Sequence, residues 1–286
     1  MNKLLVLLLL LGSNCFSQAQ PDVFILKLDD SAPINVSNDP GYDNQPFFIS
    51  NTELLFAANN ETQTDIGHYL IQEKQKRYIH PKTEGGEYSP RQIPGSNDIA
   101  AVRLDPDGKQ RLYRYSAPNY TQNQEWIPEL QVAYYALHSE HLLLGTVLSG
   151  NTLDLVLANN KTGQVDTLLT KAGRSIHKVP DSDAMSYTAL NEEGNYDIYQ
   201  IDVKTQESFF VAQLPIGIQD HIWTSDAMMI IGSGSSLYTY DLFGDGSWEP
   251  MMDLAKYGIK DISRLSMSPD GKYLAFAALK STENEE

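Results

Sequence analysis

Cysteine is almost absent from this sequence: the one thiol among 286 residues is Cys15, within the first 20 residues. A chain cleaved after residue 19 has no disulfide, no cysteine-ligated metal and no thiol nucleophile, so its hydrophobic core must provide its stability. Lipid attachment at Cys15 is disfavoured, because Asn14 stands where a bacterial lipoprotein has a small residue.

Positive charge is scarce. The chain has 21 lysines and arginines against 37 aspartates and glutamates, a formal net charge of -16. This balance opposes a broad nucleic-acid interface and attraction to anionic lipids. The sequence therefore predicts no nucleic-acid partner.

Long hydrophobic runs are also missing, apart from one near the start. Leu4–Leu11 follows Lys3 and precedes Ser17 and Ala19, which stand at the -3 and -1 positions of a cut before Gln20. This run is short for a membrane span and typical of a secretory signal peptide. We expect residues 1–19 to be that signal, the protein to be periplasmic or secreted, and the mature chain to have no membrane span.

Motifs of common enzymes are absent as well. The sequence has no G-x-S-x-G nucleophile elbow, no H-E-x-x-H zinc motif, no phosphate-binding P-loop and no complete EF-hand loop. It therefore predicts no catalytic residue, no metal and no cofactor.

What the sequence does contain is a repeat of 42 to 45 residues. Each unit reads as short apolar or aromatic strands joined by polar turns rich in Gly, Asn and Asp. The predicted first strands end at Phe48, Gln92, Leu137, Val179, Trp223 and Met267. The second strands contain Leu54, Ile99, Leu143, Met185, Met229 and Leu274, and the third strands contain Tyr69, Tyr113, Val156, Tyr199 and Tyr238. Weaker fourth strands lie at Arg77–Ile79, Val165–Leu169, Ser208–Val211 and Trp248–Met252. This period predicts an all-β, six-bladed β-propeller.

The last repeat has only two strands before the chain ends. Residues 21–30, "PDVFILKLDD", match residues 196–205, "YDIYQIDVKT", and residues 33–37 follow as a short fourth strand. We therefore expect the last blade to be closed by N-terminal strands, because closure removes the exposed sheet edges of an open ring. The propeller is predicted to span residues 20–280, followed by a disordered acidic tail at 281–286.

The repeat resembles that of TolB-like propellers. The resemblance is carried by "SPDGKYLAFAA" (Ser268–Ala278), "NYDIYQIDV" (Asn195–Val203) and "GYDNQPFFIS" (Gly41–Ser50). It implies a six-bladed, exported bacterial protein that binds a protein or peptide partner, in some cases within a larger envelope assembly. We expect a monomer.

Charged residues occur where the predicted first strands begin. We expect them to face one end of the central channel and to form the binding site: Asp43, Glu87, Arg174, Asp220, His221 and Arg264.

Two histidines, His177 and His221, are 44 residues apart and occupy equivalent positions in adjacent blades. An alternative is therefore a propeller-type lyase or hydrolase with a divalent metal near this pair and Asp220 as a further ligand. A small-ligand or glycan-binding module is a third possibility. The leading prediction is a non-enzymatic protein that binds a protein or peptide.

Overall fold

Four-stranded antiparallel sheets make up the fold in the computed structural model, which describes residues 20–29, 31–37 and 39–281. The predicted signal peptide and nearly all of the predicted tail lie outside these residues. Within the described ranges, no helix has the length and apolar character needed to cross a membrane.

Six such sheets occur in this part of the chain, and they are the six predicted blades. The N-terminal strands are β1 (Asp22–Lys27) and β2 (Ile34–Asn35). Blade 1 contains β3 (Asn44–Phe48), β4 (Glu53–Asn60), β5 (Gln63–Leu70) and β6 (Gln75–Tyr78). Blade 2 contains β7 (Gly86–Gln92), β8 (Ile99–Leu104), β9 (Gln110–Tyr115) and β10 (Asn123–Glu125). Blade 3 contains β11 (Val132–Leu137), β12 (Leu142–Ser149), β13 (Thr152–Asn159) and β14 (Gln164–Leu169).

The second half of the ring repeats this order. Blade 4 contains β15 (Ala172–Lys178), β16 (Ala184–Leu190), β17 (Tyr196–Asp202) and β18 (Ser208–Gln213). Blade 5 contains β19 (Ile222–Trp223), β20 (Met228–Ser233), β21 (Ser236–Asp241) and β22 (Trp248–Asp253). A 3-10 turn at Ala255–Tyr257 leads to β23 (Ile259–Met267) and β24 (Tyr273–Lys280).

Blade 6 is completed by the N-terminal strands, as the sequence predicts. Its strand order is β2-β1-β24-β23, and six residue pairs align β1 with β24, from Asp22–Ala278 to Lys27–Tyr273. Both faces of β1 are buried: Phe24 and Leu26 pack toward blade 5, and Val23 and Ile25 pack toward blade 1. The N-terminal strand therefore belongs to the core of the ring.

The hydrophobic core is divided among the six junctions between neighbouring blades. Each junction has its own cluster of buried side chains, for example Leu55, Ile66, Ile99 and Tyr115 between blades 1 and 2. Alternating side chains of each strand face the two neighbouring blades, so every inner strand contributes to two clusters. This arrangement leaves the first strands free to line a central channel.

The repeat pattern does not predict one strand that the structure contains, the fourth strand of blade 2. Strand β10 has only three residues, "NQE", all polar, and it pairs with Tyr113–Tyr115 of β9. Because it has no apolar alternation, its position is determined by hydrogen bonding to β9 rather than by a buried face.

Candidate functional site

The first strands are irregular where they begin, and this irregularity turns their side chains toward the channel. Register shifts interrupt the pairing between Asn44 and Phe47 in β3, and between Tyr88 and Arg91 in β7. Similar shifts occur in β11, β15 and β23. A bulge bends its strand and changes the direction of the side chains next to it. The residues at these bulges therefore form one end of the channel, which we call the mouth.

The mouth contains a buried charge cluster. The guanidinium of Arg174 donates from Nε and Nη2 to the two carboxylate oxygens of Asp220, at 2.9 and 2.6 Å. Arg264 Nε lies 3.9 Å from Asp220 Oδ1, and its guanidinium also lies 4.8 Å from the centre of the Tyr134 ring. Burial alone would raise the pKa of Asp220, but Arg264 and Arg174 together hold it below the usual value. Asp220 is therefore ionised and links the two arginines.

The two predicted histidines do meet at the mouth. The rings of His177 and His221 have centroids 5.0 Å apart and an interplanar angle of 67°. Ser175 Oγ lies 3.1 Å from His177 Nε2 and 3.1 Å from His221 Nδ1, and Ser186 Oγ lies 3.1 Å from His221 Nε2. Burial lowers the pKa of His221 to about 3, and burial followed by the charge of His221 lowers that of His177. Both imidazoles are neutral at pH 7.

This donor set does not fit a divalent cation. Both ring nitrogens of His221 have serine partners, and the carboxylate of Asp220 is held by Arg174. Arg91 and Arg264 also add positive charge near His177. Among the described residues, no group of three or more His, Cys, Asp and Glu is arranged to hold a metal ion. The predicted proximity of the histidines is confirmed, but their surroundings oppose a cation.

Two of the predicted site residues lie elsewhere, and their expected position is corrected. Glu87 is fully buried at the junction of blades 1 and 2, where Tyr115 Oη donates to it at 2.6 Å and His80 Nε2 lies 3.2 Å away. Asp43 is also fully buried, and its Oδ1 accepts a hydrogen bond from the backbone N–H of Asn59 at 3.1 Å. Both carboxylates precede the bulge of their strand, so their side chains point between blades instead of into the channel.

Arg91 is the site residue that sequence reasoning missed. It lies just after the bulge of β7, and its guanidinium carbon is 5.2 Å from the Phe47 ring centre and 5.9 Å from that of Tyr135. At the equivalent position the first strands of the other blades have Phe47, Ala136, Lys178, Ile222 and Ser266. The sequence signal for Arg91 is a cation one residue before the end of a first strand. Whether such a side chain reaches the channel depends on the bulge before it, and the repeat pattern does not reveal that bulge.

The mouth has the opposite sign of charge from the protein as a whole. Its described lining residues include Arg91, Arg174 and Arg264 but only one acid, Asp220. With both histidines neutral, the lining has an excess of two positive charges in a chain whose net charge is -16. The enclosed space is about 50 Å³, which holds a few water molecules or a small polar group.

A groove extends from the mouth across blades 1 to 3. Its cavity of about 370 Å³ is lined by Tyr42, Tyr88 and Tyr134, which are 46 residues apart in the chain, and by Leu104 and Leu148. Tyr42 and Tyr88 contact each other edge to face at 6.2 Å. All three tyrosines are half-buried, so each has an exposed part of its ring on the surface. We call the mouth and this groove together the mouth face.

Comparisons with known proteins support the fold. A structure described as TolB from Agrobacterium tumefaciens matches with a TM-score of 0.69 and 12% identity, covering 93% of this chain and 100% of that one. TolB from Acinetobacter baumannii matches with a TM-score of 0.59 and 11% identity over 93% of this chain and 65% of that one. An oligogalacturonate lyase in complex with manganese matches with a TM-score of 0.55 and 14% identity over 87% and 80%. No protein-family model matches the chain, and no curated protein matches it in sequence.

The architecture defines the class of protein: this chain is a six-bladed β-propeller closed by its N-terminal strands. Within that class its fold is TolB-like, as the repeat motif indicates. At these identities the likeness establishes the fold alone, and the same fold serves lyases as well.

Proposed function

We propose that this chain is an exported, non-enzymatic propeller that binds a protein or peptide partner of the bacterial cell envelope through its mouth face. The observation that carries the proposal is the continuity of a basic mouth with a groove of three tyrosines. Tyrosine and arginine are the residues most often found at the energetic centre of protein interfaces. An acidic side chain of the partner would meet Arg174 and Arg264, and apolar side chains would meet the tyrosine rings.

The rigidity of the mouth face favours this role. Arg264 is held between Asp220 and the Tyr134 ring. Tyr135 Oη lies 2.9 and 2.8 Å from the backbone carbonyl oxygens of Ser89 and Ala100, within hydrogen-bond distance of both. Side chains that are already ordered lose little conformational entropy on binding. Export is proposed from residues 1–19 of the sequence, which lie outside the described residues, and the monomeric state is proposed with it.

A photo-crosslinking amino acid placed at Tyr88, in the chain expressed in its native host, tests this proposal. A matched variant has the crosslinker at Phe243, which is 85% exposed in the turn between β21 and β22, away from the mouth face. We expect a specific adduct from position 88 and none from position 243. Equal adducts from both positions, or none from either, would contradict partner binding at this face.

The partner identified in this way is then purified and titrated against variants. We expect Tyr134→Ala and Arg264→Gln each to weaken binding at least tenfold, as hot-spot truncations do. Tyr240→Ala serves as the control, because Tyr240 is half-buried beside Trp248 in blade 5 and does not line the mouth face. Unchanged affinity in both mouth variants would overturn the proposal.

The second candidate is a propeller-type lyase or hydrolase with a divalent metal near His177 and His221. The 5.0 Å approach of the two rings and the manganese-bound lyase of similar fold favour it. The donor set opposes this candidate, because both ring nitrogens of His221 have serine partners. Elemental analysis of the purified protein separates the candidates. We expect no stoichiometric metal, whereas about one equivalent of zinc, manganese or calcium that His177→Ala removes would establish the second candidate.

A further inference from the structure

The channel opens into a second space where the first strands end, at the side of the ring opposite the mouth. This space, which we call the chamber, has a volume of about 270 Å³. Most of its described lining is apolar, and it includes Phe47, Leu137, Pro180, Trp223, Leu265 and Met267. Arg91 and His177 line the chamber as well as the mouth, so they lie where the two spaces meet.

The chamber has cations and no acid. Arg91 and Lys178 contribute positive charge, and none of the described residues lining the chamber is Asp or Glu. The guanidinium of Arg91 contacts the Phe47 and Tyr135 rings, but within the described residues its side chain makes no ion pair and no hydrogen bond to the protein. An arginine has five N–H donors in a planar fork, and contacts with ring faces leave these donors unused. Arg91 is therefore a cation whose hydrogen-bonding capacity is available to a ligand.

The shape and chemistry of that ligand follow from the surroundings of Arg91. A planar guanidinium forms two parallel hydrogen bonds with a carboxylate, which is the strongest pairing open to it. The apolar walls next to Arg91 favour a hydrocarbon group attached to that carboxylate. A volume of 270 Å³ is at the lower limit of small-molecule sites, which selects a body of about six carbon atoms or one leucine-sized side chain.

We propose that the chamber binds an apolar carboxylic acid, with its carboxylate on Arg91 and its hydrocarbon body between Phe47, Trp223 and Met267. The acid is either a free small molecule or the C-terminal apolar residue of a polypeptide, since both present the same chemistry. The site goes beyond the proposed function because it lies at the other end of the channel from the tyrosine groove. Either site can therefore be disproved without the other.

His177 provides a reporter next to the site. Burial, then the charges of His221, Arg91 and Arg264, lower the pKa of this imidazole. A carboxylate paired with Arg91 offsets part of the positive charge felt by His177. Its NMR titration should therefore shift to higher pH when the carboxylate occupies the chamber.

Calorimetric titration of the purified chain with hexanoate, hexanamide and butyrate tests the proposal. We expect hexanoate to bind at least tenfold more tightly than hexanamide, because the amide lacks the charge that pairs with Arg91. We expect butyrate to bind more weakly than hexanoate, by about threefold to fourfold for each methylene removed. Equal binding of hexanoate and hexanamide, or no binding of either, would overturn the proposal.

Variants locate the binding on the chain. Arg91→Gln should abolish the preference for hexanoate and the shift of His177, while Lys161→Gln, at an exposed turn of blade 3, should preserve both. An unchanged preference in folded Arg91→Gln would contradict the site. The ligand series needs no variant, so the test stands even if Arg91→Gln fails to fold.

A tripeptide, Ala-Ala-Leu, distinguishes the two sources of the carboxylate. If the peptide with a free C-terminus binds tenfold more tightly than hexanoate, and its amidated form does not, the chamber is a receptor for a polypeptide C-terminus. If the free peptide binds no more tightly than hexanoate, the ligand is a small carboxylic acid. Both results support the chamber as a carboxylate site.

Discussion

Blade 4 is formed by one continuous stretch of chain, whereas blade 6 joins the two ends of the propeller, and yet their inner geometry is the same. Phe24 stacks on Phe276 with ring centres 5.7 Å apart and an interplanar angle of 17°. The equivalent pair in blade 4, Tyr199 and Tyr187, has a separation of 5.6 Å and an angle of 16°. The packing of a blade is thus determined by its side-chain pattern and not by the connection between its strands.

The two blades differ in what holds their third strand in place. In blade 4 the carbonyl of Tyr196 accepts a hydrogen bond from Leu214 of the same blade, at 2.9 Å. In blade 6 the corresponding carbonyl, Pro21 O, accepts a hydrogen bond from Asp43 N–H of blade 1, at 3.2 Å. This hydrogen bond makes the junction with blade 1 part of ring closure.

Removing residues 21–37 should have the largest effect on stability, because these residues form the half of blade 6 that blade 4 builds from its own continuous chain. The deletion removes two of the four strands of blade 6, including the fully or almost fully buried Val23, Phe24, Ile25 and Leu26. Each such side chain contributes roughly 1.5–3 kcal/mol on burial. Together they equal much of the stability of a typical domain, about 5–15 kcal/mol. We expect size-exclusion chromatography to show loss of soluble monomer.

The control is a chain that lacks residues 282–286, the acidic end of the sequence. It should elute and melt like the full chain, because polar terminal residues contribute little burial. A monomeric, normally melting chain without residues 21–37 would show that the N-terminal strands are dispensable for the ring.

Single substitutions compare the two stacked pairs directly. Phe24 is 2% exposed, and Phe24→Ala should lower the free energy of unfolding by about 3–5 kcal/mol through the cavity it creates. Tyr199 is half-buried between Tyr187 and Phe210, so Tyr199→Ala should cost less, about 1–2 kcal/mol. Urea denaturation of both variants provides the measurement. A greater loss from Tyr199→Ala than from Phe24→Ala would show that burial does not determine the cost of removing an aromatic ring from these pairs.

The repeat in the sequence was sufficient to predict this equivalence. Two strand positions kept their spacing through six units, and the match of residues 21–30 to residues 196–205 put Phe24 in the position of Tyr199. Periodic burial leaves a clear signal in the sequence because each blade packs against a similar blade on both of its faces. The fold was therefore predicted almost completely, apart from the polar strand β10.

The candidate site was predicted only in part, because it depends on departures from the repeat. Arg174, Asp220, His221 and Arg264 lie at the mouth as expected, whereas Asp43 and Glu87 point between blades. The bulges determine which side chains reach the channel, and they leave no recurring residue pattern in the sequence. Arg91 was missed for the same reason.

The junction between blades 6 and 1 should also respond to pH, while blade 4 should not. Burial, and next the nearby Asp39, raise the pKa of Asp43 from its usual 3.8 to about 7. In blade 4, backbone N–H groups of Thr205 and Lys204 lower the pKa of the half-buried Asp202, which therefore stays ionised in both states above pH 5. The two carboxylates provide a matched pair for measuring stability against pH.

Between about pH 4 and pH 7, folded Asp43 binds a proton that the unfolded chain does not. Its contribution to stability is therefore fully present below about pH 4 and is lost as pH rises through about 7. Each unit of pKa difference corresponds to about 1.4 kcal/mol, so the wild-type chain should lose about 1–3 kcal/mol from this group between pH 5 and pH 8. Urea denaturation at the two pH values should show that Asp43→Asn removes this loss and that Asp202→Asn retains it. If Asp43→Asn leaves the pH dependence unchanged, the buried carboxylate at the junction does not titrate in this range, and closure of the ring is independent of its charge.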